Sequence, residues 1–339
     1  MKIAVVTPYG EAYSDDRLFD VNACTIGQNL LLPGIRLKEA LEQLGHEYHT
    51  ADMYPHAEEV DVWIFQDLNN SSRLTIHSAK DWAKYLLKRK WNTDYLYKIS
   101  KINNKKAILI MQEPQTVFPQ AYEFKNHQYF DRVLTWDNRF VDGKKYRPFL
   151  YPQVKPETLL EYPYEKKKFL TMICGNKSST DCSELYSERR RVIEYCEKNN
   201  ISFDLYGFGW DEKERPSYRG MVEDKLATLS RYKFSICFEN MKSKGGYITE
   251  KIFDCFFAGC IPVYYGSDVI LDYVPEGTFV DYRKFRDTDE LNAYLQNMRQ
   301  DEYEQMQERI KAYLAGDLYK TSFSVEAYVD RMVNAITKW

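Results

Sequence analysis

Along this chain, short apolar runs of strand length alternate with longer stretches whose apolar residues recur every three or four positions. The runs Lys2 to Val6, Val60 to Phe65, Ala107 to Met111 and Arg132 to Trp136 predict strands, with helices predicted at Pro33 to Leu44 and Ile76 to Lys88. A second series follows, with strands predicted at Phe169 to Ile173, Phe203 to Tyr206, Phe234 to Phe238 and Ile261 to Tyr265. Such alternation builds parallel sheets, because each crossover must carry the chain back to the edge where the previous strand began. Between the two series lies QVKPETLLEYPYEKKK, charged and proline-containing, which puts a boundary near Gln153 to Lys166. The expected organisation is one Rossmann-like α/β domain over 1–155, a second over 156–320, and a helix within 321–339 that packs back on the first domain.

The chemistry concentrates in Phe234 to Gly266, FSICFENMKSKGGYITEKIFDCFFAGCIPVYYG. FSICF reads as a strand, so Glu239 and Asn240 fall at its carboxyl end, the edge on which α/β proteins collect ligands. Gly245 and Gly246 suit a tight turn, and Thr249 is placed to cap a helix that runs through IFDCFFA and ends at Gly259. A phosphate at such a helix start meets free N–H groups and the positive end of the dipole. Lys251 adds a full charge, and Glu250 can accept two hydrogen bonds from a ribose diol. A nucleotide sugar satisfies both.

The pieces Phe238-Glu239-Asn240, Gly246 through Lys251 and Pro262 through Gly266, followed by DYVPEGTFVDYRKF, resemble the signature of the α1,3/α1,4-fucosyltransferases, glycosyltransferase family 10, of the soluble bacterial type. The resemblance covers the second half of the chain. It implies a GT-B fold, two Rossmann-like domains facing each other across a cleft, and GDP-β-L-fucose as donor. It also implies that Asn240, Tyr247, Glu250 and Lys251 contact the donor, and that an arginine in ELYSERRRVIEYCEK binds phosphate. Arg189 matches that arginine, with Arg190 and Arg191 beside it. Glu239 and Thr249 are weaker candidates for the donor site.

An inverting transfer needs a base for the acceptor hydroxyl. Glu113 stands just past an apolar strand, before Pro114, at the position the family's glutamate implies. Asp67, at the end of VDVWIFQD, rivals it on the same geometry. The one Asp-x-Asp, Asp287 and Asp289, reads as a helix start and makes a thin case for a metal that seeks six or more oxygens, so no essential cofactor is expected. The alternatives are a related GT-B enzyme using another GDP- or UDP-sugar, and a nucleotide-sugar-binding protein without activity.

The net charge of −3 gives no reason to expect nucleic acid, and the aromatic, lysine-rich stretch Lys80 to Lys106 reads as a solvated helix face. No run approaches a membrane span, and MKIAVVTPYG reads as a first strand and not a signal peptide. Seven scattered cysteines without a CxxC pair fit reduced thiols. The expected protein is cytoplasmic or peripheral at the inner membrane, with GDP-fucose and an oligosaccharide or glycolipid acceptor as partners.

Overall fold

The computed structural model describes residues 1–24, 29–68 and 105–339. The helix expected at Ile76 to Lys88, most of the lysine-rich stretch and the NNSSR loop after Leu68 lie outside the described residues. The chain divides into two units, Met1–Val154 with Val325–Trp339, and Lys155–Ser324.

In the first unit six parallel strands form one sheet, β1 (Lys2–Val6), β2 (Glu47–Thr50), β3 (Val62–Gln66), β4 (Lys106–Met111), β5 (Arg132–Thr135) and β6 (Tyr146–Pro148). Their order is β2-β1-β3-β4-β5-β6. Alternation along the strands splits their apolar side chains between two faces. Ile3, Val5, Ile64 and Ile110 pack with Leu37 and Leu41 of α1 (Leu32–Gln43), while Val6, Trp63, Phe65 and Leu109 pack with Phe130 on the other side. Burial on both faces makes the central strands read as continuous apolar runs. The edge strands β2 (EYHT) and β6 (YRP) carry no such run, which is why periodicity missed them.

The second unit holds a five-stranded sheet in the order β11-β10-β9-β7-β8. The strands are β7 (Lys168–Ile173), β8 (Phe203–Tyr206), β9 (Tyr232–Ser243), β10 (Ile261–Ser267) and β11 (Val280–Asp281). Around it lie α2 (Tyr186–Lys198), α3 (Lys225–Ser230), α4 (Glu250–Phe257), α5 (Thr288–Asn297), α6 (Gln300–Ala315) and α7 (Asp317–Phe323). α4 ends in a Schellman motif, with Gly259 at φ 61° and Cys260 N–H donating to the Cys255 carbonyl at 2.9 Å.

The chain then breaks at Ser324 in extended backbone, so Phe323 stays with the second unit, its ring 4.6 Å from that of Phe253. The last helix, α8 (Val325–Thr337), lays Tyr328, Met332 and Ile336 on the α1 side of the first sheet. Arg132 donates to the carbonyls of Ala335 and Lys338 and stacks on Trp339 at 4.0 Å, occupying the free carbonyls of that helix end. Among the described residues no helix is long and apolar enough to cross a membrane.

Candidate functional site

β9 is longer than its apolar run. β7 stops at Ile173, but β9 continues because its polar half finds new partners. Leu185 N–H donates to the Asn240 carbonyl at 3.0 Å and Lys242 N–H to the Ser183 carbonyl at 2.7 Å. This pairing fixes the start of α2 at Tyr186. It carries Arg189, 5% exposed, to the strand end, where its guanidinium donates to the Phe238 carbonyl at 2.6 Å and to Asn240 Oδ1 at 3.2 Å. Successive residues on a helix point 100° apart, so the neighbouring arginines face elsewhere. Arg191 pairs with Glu188 on the surface, and Arg190 donates to the Lys177 carbonyl.

On the opposite side of β9, Glu239 is fully buried. Its two oxygens accept from the Thr249 backbone N–H at 2.9 Å and the Thr249 hydroxyl at 2.8 Å, and Lys251 Nζ lies 3.3 Å away. Thr249 therefore occupies the N-cap position of α4 without capping it, its hydroxyl donating to Glu239 and accepting from Lys251 Nζ at 3.0 Å. Glu239 is a strut that sets where α4 begins. The room for it comes from Gly266, where a Cβ would sit 2.5 Å from Glu239 Cγ and 2.7 Å from the Tyr264 hydroxyl. The turn at Gly245 and Gly246 uses no positive φ, contrary to the expected need for glycine freedom. It is tied instead by the Ser243 and Ser267 hydroxyls, both donating to the Gly245 carbonyl.

The carboxyl ends of β7 and β9 with the start of α4 enclose a small recess. Arg189, Lys251 and Lys225 all line it. Lys225, the first residue of α3, pairs with Asp254 at 2.5 Å and belongs to no motif, so sequence reasoning missed it. Burial alone would lower the Lys251 ammonium, but Glu250 and Glu239 raise it above its usual value. Glu250 Oε1 lies 3.4 Å from Lys251 Nζ, and its side chain is 48% exposed. Burial would raise the Glu250 carboxyl, yet Lys251 and Lys225 hold it down at about 2, so it is an acceptor only at neutral pH. Tyr247 is buried and meets the site through its hydroxyl, which accepts from Asn240 Nδ2 at 3.3 Å.

In the first unit the two candidate bases have unlike environments. Asp67 is 1% exposed and sits at φ 56°. Its carboxylate accepts from the backbone N–H of Gln112 at 2.9 Å and of Glu113 at 3.0 Å. Burial pushes its pKa well above the usual carboxylate range, against those two N–H groups. Tyr122 donates to the Glu113 carbonyl at 2.7 Å. Asp67 thus fastens the backbone that presents Glu113, whose side chain is half-buried at the carboxyl edge of the sheet. Tyr9, half-exposed, stands edge-on to Tyr13 at 6.2 Å and to Phe118 at 6.1 Å, beside the turn that Glu113 opens.

Asp287 and Asp289 are both engaged at the start of α5. Asp287 caps it by accepting from Glu290 N–H at 2.9 Å, and Asp289 accepts from the Tyr195 hydroxyl at 2.7 Å.

Residues 164–315 match the family model described as glycosyltransferase family 10 (fucosyltransferase) C-term. An alpha-(1,3)-fucosyltransferase of Helicobacter pylori is 44% identical over 75 residues, which are 22% of this chain and 15% of that protein. The 4-galactosyl-N-acetylglucosaminide 3-alpha-L-fucosyltransferase 9 of Mus musculus is 34% identical over 116 residues, 33% of this chain and 30% of that one. The matched stretches thus span at most about a third of these curated relatives. An alpha1,3-fucosyltransferase solved with GDP superimposes with a TM-score of 0.53 at 17% identity, covering 96% of this chain and 90% of its own. An alpha-glucosyltransferase solved with UDP-glucose and DNA reaches 0.59 at 10% identity, covering 100% and 99%. At such identities the likeness establishes the fold, two parallel-sheet α/β domains of the GT-B class, and does not choose between the two activities. The strand, turn and helix that hold Glu239, Asn240, Glu250 and Lys251 lie inside the residues, 164–315, that match the model of the glycosyltransferase family 10 (fucosyltransferase) C-terminal domain.

Proposed function

We propose that this protein is an inverting fucosyltransferase, moving L-fucose from GDP-β-L-fucose to a hydroxyl of a carbohydrate acceptor in α1,3 linkage. The observation that carries the reading is the recess at the ends of β7 and β9, where Arg189, Lys225 and Lys251 converge beside an ionised Glu250 within the family 10 domain. Three cations suit a diphosphate, and a carboxylate at the helix start suits the ribose diol.

In this reading the acceptor oxygen attacks the anomeric carbon as the bond to the diphosphate breaks. GDP departs with its charge met by the cations, and the hydroxyl proton passes to the Glu113 carboxylate. Asn240 orients Arg189, and Tyr247 orients Asn240. Tyr9 offers an aromatic face to an acceptor sugar. The three side-chain cations remove the need for an essential metal. Seven free cysteines, four of them buried, are compatible with a reducing, cytoplasmic setting.

The test is turnover of the purified chain with a panel of GDP- and UDP-sugars and N-acetyllactosamine-type acceptors. Transfer from GDP-fucose is expected, and transfer only from a UDP-sugar would sink the fucose reading. Glu113→Gln should lower kcat about 100-fold or more while leaving GDP affinity intact.

A further inference from the structure

The loop after β8 exposes an aromatic ring on a framework that only glycines permit. Phe208 is 51% exposed, yet its backbone is rigidly tied. Asn176 N–H donates to the Phe208 carbonyl at 2.9 Å, Asn176 Nδ2 to the Gly209 carbonyl at 3.0 Å, and Trp210 Nε1 to the Cys174 carbonyl at 2.8 Å. Three glycines allow this close approach. Gly207 and Gly209 have φ of 124° and 78°, and a Cβ on Gly207 would meet the Cys174 carbonyl oxygen at 2.1 Å. A Cβ on Gly175 would lie 2.3 Å from Phe208 Cζ, so the ring rests directly on the Gly175 backbone.

One face of the ring is therefore seated on backbone, leaving the residue half-exposed at the ligand edge of the sheet. Cys174, joined to this loop, lines the cationic recess. β8 lies two strands from β9, about 10 Å across the sheet. That is the span a nucleoside needs between its diphosphate and its base. A large apolar side chain seated and wet at this edge loses little on stacking, because the glycine framework already limits its freedom.

We propose that Phe208 is the shelf on which the purine base of the donor nucleotide stacks. The proposal rests on the recess being the diphosphate site. The Lys177 ammonium lies over the ring, 5.6 Å from its centre, with protons for N7 and O6, the acceptors of guanine. The base thus gains an aromatic ring and a nearby cation, both outside the motif proposed to hold ribose and phosphate.

The experiment compares calorimetric binding of GDP and of inorganic diphosphate to the full chain, to Phe208→Ala, to Phe208→Tyr and to Lys251→Ala. Phe208→Ala should weaken GDP about 5- to 150-fold, the worth of one base–aromatic stack, and leave diphosphate unchanged. Phe208→Tyr should restore GDP affinity. Lys251→Ala should weaken both ligands. Unchanged GDP affinity in Phe208→Ala, while Lys251→Ala weakens both, would overturn the shelf and leave the donor site standing. Equal loss of GDP and diphosphate in Phe208→Ala would mean a deformed loop and would also overturn it. If wild type binds neither ligand, the donor-site reading fails and the shelf falls with it.

Discussion

Replacing Asp67 separates two roles that sequence could not distinguish. In Asp67→Ala the N–H groups of Gln112 and Glu113 lose their acceptor in a protein interior. An orphaned buried donor costs about 1–3 kcal/mol, so the pair amounts to about 2–6 kcal/mol. Alanine also tolerates the left-handed backbone at φ 56° less well than aspartate or asparagine. Asp67→Asn keeps a carbonyl oxygen where Oδ1 now accepts both N–H groups, at 2.9 and 3.2 Å, and removes a charge that burial disfavours. It should stay within about 1 kcal/mol of wild type. Urea unfolding with an unchanged slope measures the stabilities, and turnover on the same samples measures the chemistry. The expected pattern is a destabilised alanine variant with impaired kcat and an asparagine variant close to wild type in both. Full stability with turnover down 100-fold or more in Asp67→Asn would refute the reasoning and make Asp67 the base.

Lys225→Met should weaken GDP about tenfold or more, the worth of one charge-assisted contact, as titration calorimetry would register; unchanged affinity would remove Lys225 from the site. Gly266→Ala forces a methyl to within 2.5 Å of Glu239 Cγ and should cost about 1–3 kcal/mol in chemical denaturation, with GDP affinity falling alongside as Lys251 shifts. Glu250 has a folded pKa of about 2 against an ordinary 4.5, so its contribution to stability is complete above pH 4.5 and is lost as pH falls towards 2. Acid unfolding of Glu250→Gln should therefore converge with wild type in that window, and a gap that persists at pH 2 would contradict the assignment.

What could be read from sequence was whatever periodicity or a side-chain type declares by itself. Lys2 to Val6 and Phe203 to Tyr206 are strands at their expected bounds, the first because its apolar run is buried on both faces and the second, an edge strand, because Phe203 and Leu205 turn into the core around Asp204. The polar second half of β9 was illegible, since its extended conformation depends on pairing with 183–185, a contact no local pattern encodes. The same contact chose Arg189 from three consecutive arginines. Glu250 and Lys251 pointed to a nucleotide through their charge and helix position, the reading proposed for the recess they adjoin. Glu239 and Thr249 looked alike on paper as polar groups near that site, but burial turned them into its scaffold. Lys225 carries a charge without a motif, and only folding brings α3 beside α4.

The Glu239 knot has a consequence for how this domain can change over generations. A carboxylate on one strand, a hydroxyl and an ammonium on a helix start, and a missing side chain on the next strand occupy one space. Any one of them altered alone leaves a clash or a stranded charge. Sequence change in this domain is therefore easier in the loops around this knot, while the knot itself is exchanged as a set.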